Sequence, residues 1–224
     1  MPVLPHQLPL HATIIIPQFD HPELTIQAIR SLRQTDRLRW PVLVVDNGSS
    51  PQSLRQLHDL ADNDTEIVSL PRPGLTAAWN IAASRCRTSH LVFLINDTLS
   101  KGPWVDRLLA PLLRNEAHVT CAELRRETHL ASPIEIPSGW CFAVRFDTFH
   151  AVGGFDEALH LYFSDTDFLL RVRERFSSST LLPWAVVPHL PLVHLSHRTA
   201  HQLPDQRTVW IADRTRFLSR WIRG

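Results

Sequence analysis

The feature that most constrains this chain is Leu91-Val92-Phe93-Leu94-Ile95, an unbroken apolar run that ends in Asn96-Asp97-Thr98. It is far shorter than the roughly 20 apolar residues that cross a membrane, and too apolar for a surface. It predicts a strand buried on both faces, as in a parallel sheet covered by helices. Ligands of open α/β sheets bind beyond the carboxyl ends of the strands, where Asp97 would deliver a carboxylate. The same tip also suits a strand-ending turn that caps a helix, and this stretch alone leaves both readings open.

The rest of the chain repeats the pattern. Ala12-Thr13-Ile14-Ile15-Ile16-Pro17 reads as a buried strand stopped by proline. After the loop from Gln18, Pro22 and Glu23 open a helix that ends near Gln34. Val42-Leu43-Val44-Val45 is a second strand with an acidic tip, Asp46-Asn47-Gly48, and Ser49 or Ser50 can cap the helix around Gln52 to Leu60. Glu66 to Leu70 is a third strand, and an alanine-rich helix follows from Thr76 to Cys86. Strand–helix alternation at this spacing implies right-handed crossovers and a mostly parallel α/β sheet.

Later signals are weaker. Trp104 to Leu113 reads as a helix, Val119 to Leu124 and Gly139 to Val144 as strands, and the polar, Pro-bounded stretch from Arg125 to Ile136 as a loop. A short helix from Asp147 to Val152 ends at Gly153-Gly154. Ser164 and Asp167 have the spacing of a capping box for a helix over Phe168 to Phe176. Trp184 to Val187 is a late strand, and His194 and His197 follow, two of thirteen histidines. Asn80, polar on an apolar helix, reads either as a satisfied buried amide or as a donor holding a loop or ligand. From Val209 to Gly224 the pattern is a basic, aromatic amphipathic helix, suited to a membrane surface or to packing on the domain with its arginines solvated.

Length and charge exclude several classes. At 224 residues the chain suits one sizeable α/β domain, or at most two small ones. Met1 to Leu10 lacks the charged and apolar regions of a secretory signal. A net charge of +1 gives no reason to expect a nucleic-acid partner. Cys86, Cys121 and Cys141 form no CxxC pair, which argues against a zinc site or a disulfide framework and fits a reducing cytoplasm.

Taken in order, Ile14-Ile15-Ile16-Pro17, Val44-Val45-Asp46-Asn47-Gly48-Ser49, Gly74-Leu75 with Ala77, Ala78 and Asn80, Val92 to Thr98, Val152 to Asp156, Tyr162 to Asp167, and His194 resemble the family 2 glycosyltransferases of the GT-A fold. The Asn96-Asp97 tip most resembles bacterial transferases that add rhamnose or similar sugars to surface polysaccharides. The resemblance implies one GT-A domain over residues 1–224. Residues 11–124 would bind the nucleotide sugar, 125–199 would form the acceptor and catalytic half, and 200–224 the C-terminal helix.

The implied reaction is an inverting transfer from a nucleotide diphosphate sugar to a hydroxyl of a glycan or lipid-linked acceptor. The resemblance makes Asp165 the base that takes the acceptor's proton, with Asp167 the neighbour that would raise its pKa. Pro17, Phe19, Asp46, Arg72, Asn80, Asn96 and Asp97 would hold the donor, and Trp140, Gly153, Gly154 and Asp167 the acceptor side. Asp97 and His194 would bind a divalent cation, Mn²⁺ or Mg²⁺. Asn96 stands where the family commonly has an aspartate and Ser164 where an acidic residue often precedes the base, so an inactive nucleotide-sugar or glycan-binding module is the alternative. A second subunit, a partner domain or the inner face of a membrane would complete a short acceptor region.

Overall fold

A computed structural model of the chain describes residues 11–60, 62–70, 74–195 and 206–222. The elements run β1 (Ala12–Gln18), α1 (Pro22–Thr35), β2 (Val42–Asp46), α2 (Pro51–Leu60), β3 (Thr65–Ser69), α3 (Leu75–Arg85) and β4 (His90–Leu94). Then come β5 (Thr98–Ser100), α4 (Val105–Leu113), β6 (Ala117–Cys121), β7 (Leu124–Glu127), β8 (Ile134–Pro137), β9 (Cys141–Arg145) and α5 (Phe146–Ala151). The chain closes with α6 (Ser164–Arg175), β10 (Leu182–Val186), β11 (Leu192–His194) and α7 (Gln206–Trp221).

The central sheet has seven strands in the order β10-β6-β9-β4-β1-β2-β3. All are parallel except β9, which runs against both β4 and β6. The mostly parallel α/β sheet is therefore as expected. β9, from residues 125–199, sits between β4 and β6 of residues 11–124, so one sheet joins the two stretches.

The apolar runs are strands for a simple reason. Successive side chains point to opposite faces, and both faces are covered. Phe93 and Leu91 enter the core beneath α3 and α6, while Val92 and Leu94 enter the core beneath α1 and α4. Ile15 and its neighbours Ile14 and Ile16 divide in the same way. Each such side chain contributes about 1.5–3 kcal/mol when fully buried. Around Phe93 the rings of Phe142, Phe149, Phe155 and Trp79 lie 5.0 to 5.7 Å away, in stacked and edge-on pairs.

Several local expectations need correction. β1 does not stop at Pro17 but runs to Gln18. β4 pairs with β1 only as far as Ile15, so beyond that point the missing proline N–H breaks no ladder on that side. The stretch from Arg125 to Ile136 is not simply a loop: Leu124–Glu127 and Ile134–Pro137 pair antiparallel as a hairpin. The capping box does not form. α6 starts at Ser164, behind a left-handed Phe163 (φ 60°), and the Ser164 hydroxyl donates back to the Leu161 carbonyl. Ser50 does cap α2, accepting the Ser53 N–H at 3.3 Å.

α7 packs on the domain. Phe217 is buried and stacks on Phe163 at 4.9 Å, and the buried Asp213 carboxylate accepts the backbone N–H groups of His160, Leu161 and Tyr162 at 2.8–3.0 Å. Its arginines are not all solvated, because Arg216 and Arg220 pair with Asp156, and Arg220 also with Asp167. Trp210, Ile211 and Ile222 stay exposed. Among the described residues no helix is long and apolar enough to cross a membrane.

Candidate functional site

The parallel arrangement brings the carboxyl ends of β1, β2 and β4 to one edge of the sheet. At the end of β2, Asp46 is buried; its Oδ2 accepts the Ser49 N–H at 3.3 Å, and its Oδ1 accepts no hydrogen bond among the described residues. The neighbouring Asn47 accepts the Gly74 N–H at 2.6 Å, which ties this tip to the start of α3. Pro17 lies buried opposite Val45, and Phe19 is half-buried in the loop after β1. Arg72 lies outside the described residues.

The tips are laced together by side chains. Asn96 donates to the Thr25 hydroxyl at 3.3 Å, Thr25 donates to Gln18, and Gln18 donates to Ser49. Asn96 is thus a buried amide held within this network. Thr25 donates its proton to Gln18 and needs a donor in return, which the amide supplies and a carboxylate would not.

Beyond β4 lies a cleft of about 470 Å³. Asp97 reaches it with a side chain only 1% exposed, its Oδ1 3.1 Å from His194 Nε2. The contact follows from register: β11 pairs antiparallel with β5 and sets His194 against Thr98, and the Leu195 N–H donates to the Asp97 carbonyl at 2.8 Å. Trp140 stacks on His194 at 5.2 Å and donates from its indole to Glu123.

Asp165 reaches the same cleft from the first turn of α6, with a side chain 20% exposed. Its Oδ1 accepts the Thr166 N–H at 2.8 Å, and its Oδ2 lies 3.4 Å from Arg125 Nη2. Gly139 abuts this carboxylate so closely that a Cβ there would collide with Oδ2. One segment, Gly139-Trp140, therefore links Asp165 to His194 and through it to Asp97.

Arg125 is the residue that sequence reasoning missed. Its guanidinium bonds to Glu127 at 2.9 Å and to the Thr166 hydroxyl, besides Asp165. Glu127 is almost wholly buried; burial pushes its carboxyl up, but hydrogen bonds from Arg125 and from the His129 backbone and ring outweigh that and hold it below the usual carboxylate range. Trp210 of α7 closes the far end of the cleft, with Phe163 and His129. The Ser132-Pro133 turn between two short apolar-flanked stretches was the available signal for the hairpin.

Asp167, Gly153, Gly154 and Asn80 do not line this cleft. Helical residues two apart point about 200° apart, so Asp167 faces away from Asp165 and cannot act as its neighbour. It is buried, pairs with Arg171 at 2.8 Å and accepts the Trp221 indole N–H at 2.9 Å. Gly153 and Gly154 end α5 with positive φ; a Cβ on Gly154 would lie 2.7 Å from Asn80 Oδ1. Asn80 is bound up with the same turn. It clamps that turn, donating to the Phe155 carbonyl and accepting the Phe155 N–H, both at 2.9 Å.

Residues 13–164 match the model of glycosyl transferase family 2. The chain belongs to that family. The match ends one residue before Asp165, so most of α6, all of α7 and His194 lie beyond it. The succinoglycan biosynthesis protein ExoM of Rhizobium meliloti (strain 1021) is 25% identical over 135 residues, 58% of this chain and 44% of its own length. The uncharacterized protein y4gI of Sinorhizobium fredii (strain NBRC 101917 / NGR234) is 26% identical over 87% of this chain. The chain spans only 26% of y4gI.

Solved structures share the fold at low identity. Glucosyl-3-phosphoglycerate synthase from Mycobacterium tuberculosis, solved with Mn²⁺, uridine diphosphate and phosphoglyceric acid, aligns with a TM-score of 0.68 at 17% identity, over 96% of this chain and 80% of that one. The mannosyltransferase PcManGT from Pyrobaculum calidifontis, solved with GDP-Man and Mn²⁺, aligns with a TM-score of 0.61 at 18% identity, over 96% of this chain and 65% of that one. The architecture of this family 2 member is thus the GT-A fold.

Proposed function

We propose that this chain is an inverting glycosyltransferase that moves a sugar from a nucleotide diphosphate sugar to a hydroxyl of a glycan or lipid-linked acceptor. The observation that carries the reading is that Asp97 and Asp165, from different elements, reach one cleft and are joined through Gly139-Trp140 and His194. Asp165 accepts the proton of the acceptor hydroxyl as that oxygen attacks the sugar carbon and the nucleoside diphosphate leaves from the opposite side. General-base assistance of this kind contributes about 10²–10⁴-fold. Asp46 has a buried Oδ1 suited to an N–H of the nucleobase, and Pro17 and Phe19 frame the same side. Trp140 forms the wall between donor and acceptor.

Asp97 and His194 fit a hard divalent cation such as Mn²⁺ or Mg²⁺. A carboxylate oxygen and an imidazole nitrogen lie 3.1 Å apart at the cleft. Among the described residues no cluster of three or more His, Cys, Asp or Glu forms, so phosphate oxygens and water would complete the shell, as such ions prefer. When bound, the cation supplies charge neutralisation for the leaving diphosphate. The two residues that raised an inactive module are explained by packing: Asn96 serves Thr25, and Ser164 serves the Leu161 carbonyl. The three cysteines are free and buried.

The test is a panel of sugar nucleotides, assayed for binding and hydrolysis with Mn²⁺, Mg²⁺ or chelator. The reading expects metal-dependent binding of one donor with slow hydrolysis. Failure of every donor to bind under all three conditions would remove it.

A further inference from the structure

Arg125 is shared between two carboxylates of different kinds. Glu127 is closed off from solvent, while Asp165 opens to the cleft. The three residues, with the Thr166 hydroxyl, form one continuous set of contacts between β7 and the first turn of α6. Arginine stays charged throughout the working pH range. Its charge acts on Asp165 at 3.4 Å, but part of it is already compensated by Glu127 at 2.9 Å.

Resting on the reading of Asp165 as the base, we propose that Arg125 is a positioning residue that sets the ionisation and orientation of the Asp165 carboxylate, with Glu127 as its counterweight. An opposite charge at this range favours an ionised carboxylate, the form that accepts a proton. Too strong a hold would leave it a poor base; Glu127 moderates that hold. Arg125 also steers the carboxylate. It bonds to Oδ2, which lies against Gly139, while Oδ1 takes the Thr166 N–H.

Other charged or titratable groups share the cleft: Arg126 and His129 of the hairpin region, Tyr162 before α6, and Asp97 and His194 across from it. None of them is substituted in the variants below, and His129, which bonds to Glu127, keeps an acceptor oxygen in Glu127→Gln. Two substitutions should therefore move Asp165 in opposite directions. Arg125→Gln removes the cation and leaves the buried Glu127 charge facing Asp165. Glu127→Gln removes the counterweight and leaves the whole cation on Asp165.

The experiment is an NMR titration of the ¹³C-labelled Asp165 carboxyl in the full chain, with the signal assigned by its loss in Asp165→Asn. The probe is the proton, so no donor or acceptor need be known. The Asp165 midpoint should rise by about one pH unit or more in Arg125→Gln, fall in Glu127→Gln, and stay near the wild-type value in Arg125→Lys, which keeps the charge. Unchanged midpoints, or shifts of the same sign in Arg125→Gln and Glu127→Gln, would overturn the proposal. Should Arg125→Gln fail to fold, the sign in Glu127→Gln decides. If the base reading fails, Asp165→Asn transfers sugar normally whatever the titration shows, so the two failures are distinct.

Discussion

The two walls of the cleft are built on different principles. The strand-tip wall is placed by the sheet: parallel strands end at the same edge, so Asp97 reaches the cleft, and Asp46 another strand tip on that edge, whatever their side chains touch. The α6 wall is placed by what packs against a helix start. Asp165 and Asp167 are two residues apart, yet one opens to the cleft and the other is buried against Arg171 and Trp221. Position along a parallel strand predicts location; position in a helical turn does so only when the packing partners are known.

If the α6 wall depends on remote partners, removing one should hurt most. Asp213→Ala strips the shared acceptor from three consecutive backbone N–H groups just before Asp165. The three groups are only partly buried, so water can replace part of what is lost, and the cost should be about 1–3 kcal/mol in urea unfolding. A change below about 0.5 kcal/mol would show that α7 does not organise this segment.

Gly139→Ala tests the wall at its closest approach. The glycine backbone is not left-handed, so the effect is steric: the new methyl displaces the Asp165 carboxylate. Overpacking of this kind costs about 1–3 kcal/mol. Transfer should fall about tenfold or more while donor binding, measured by calorimetry, is kept. Equal loss of both would mean that Gly139 serves the donor side instead.

On the strand-tip wall the expected effect is smaller. Asn96→Ala removes one link of the Asn96–Thr25–Gln18 chain and should cost about 1 kcal/mol in thermal unfolding, with the sheet itself holding the tips in place. Loss of donor binding in this variant would show that the lacing, not the sheet, positions them.

The smallest effect concerns pH and lies outside both walls. His90 and His118 are held below the ordinary histidine value of 6.5, chiefly because burial disfavours the charged ring. The unfolded chain binds these protons more readily, so their contribution to stability is complete above pH 6.5 and declines as pH falls toward their depressed folded values. Urea midpoints should drop over that interval, and less so in His118→Gln. A midpoint that rises on acidification would reverse the sign.

The same contrast explains what could be read beforehand. The apolar runs of β1, β2 and β4, the Pro22 helix start and the acidic tips are local signals, and they located Asp46 and Asp97. Asp165, Trp140 and His194 were reached through resemblance and do meet in the cleft. Gly153 and Gly154 belong to a helix-ending turn whose partner, Asn80 of α3, lies far along the chain. The Arg125 hairpin carried no strong period, and its meaning appears only once Asp165 is opposite it. α7 read as a basic surface helix because the acids that pair with Arg216 and Arg220 come from other segments.

The most direct test of the central claim, that the two walls divide binding from proton removal, is donor calorimetry beside transfer rate in Asp97→Asn and Asp165→Asn. The account predicts that Asp97→Asn loses metal-dependent donor binding. It predicts that Asp165→Asn binds donor like the wild type but loses about 10²–10⁴-fold in transfer. Undiminished transfer by Asp165→Asn, or metal-dependent donor binding unchanged in Asp97→Asn, would contradict it.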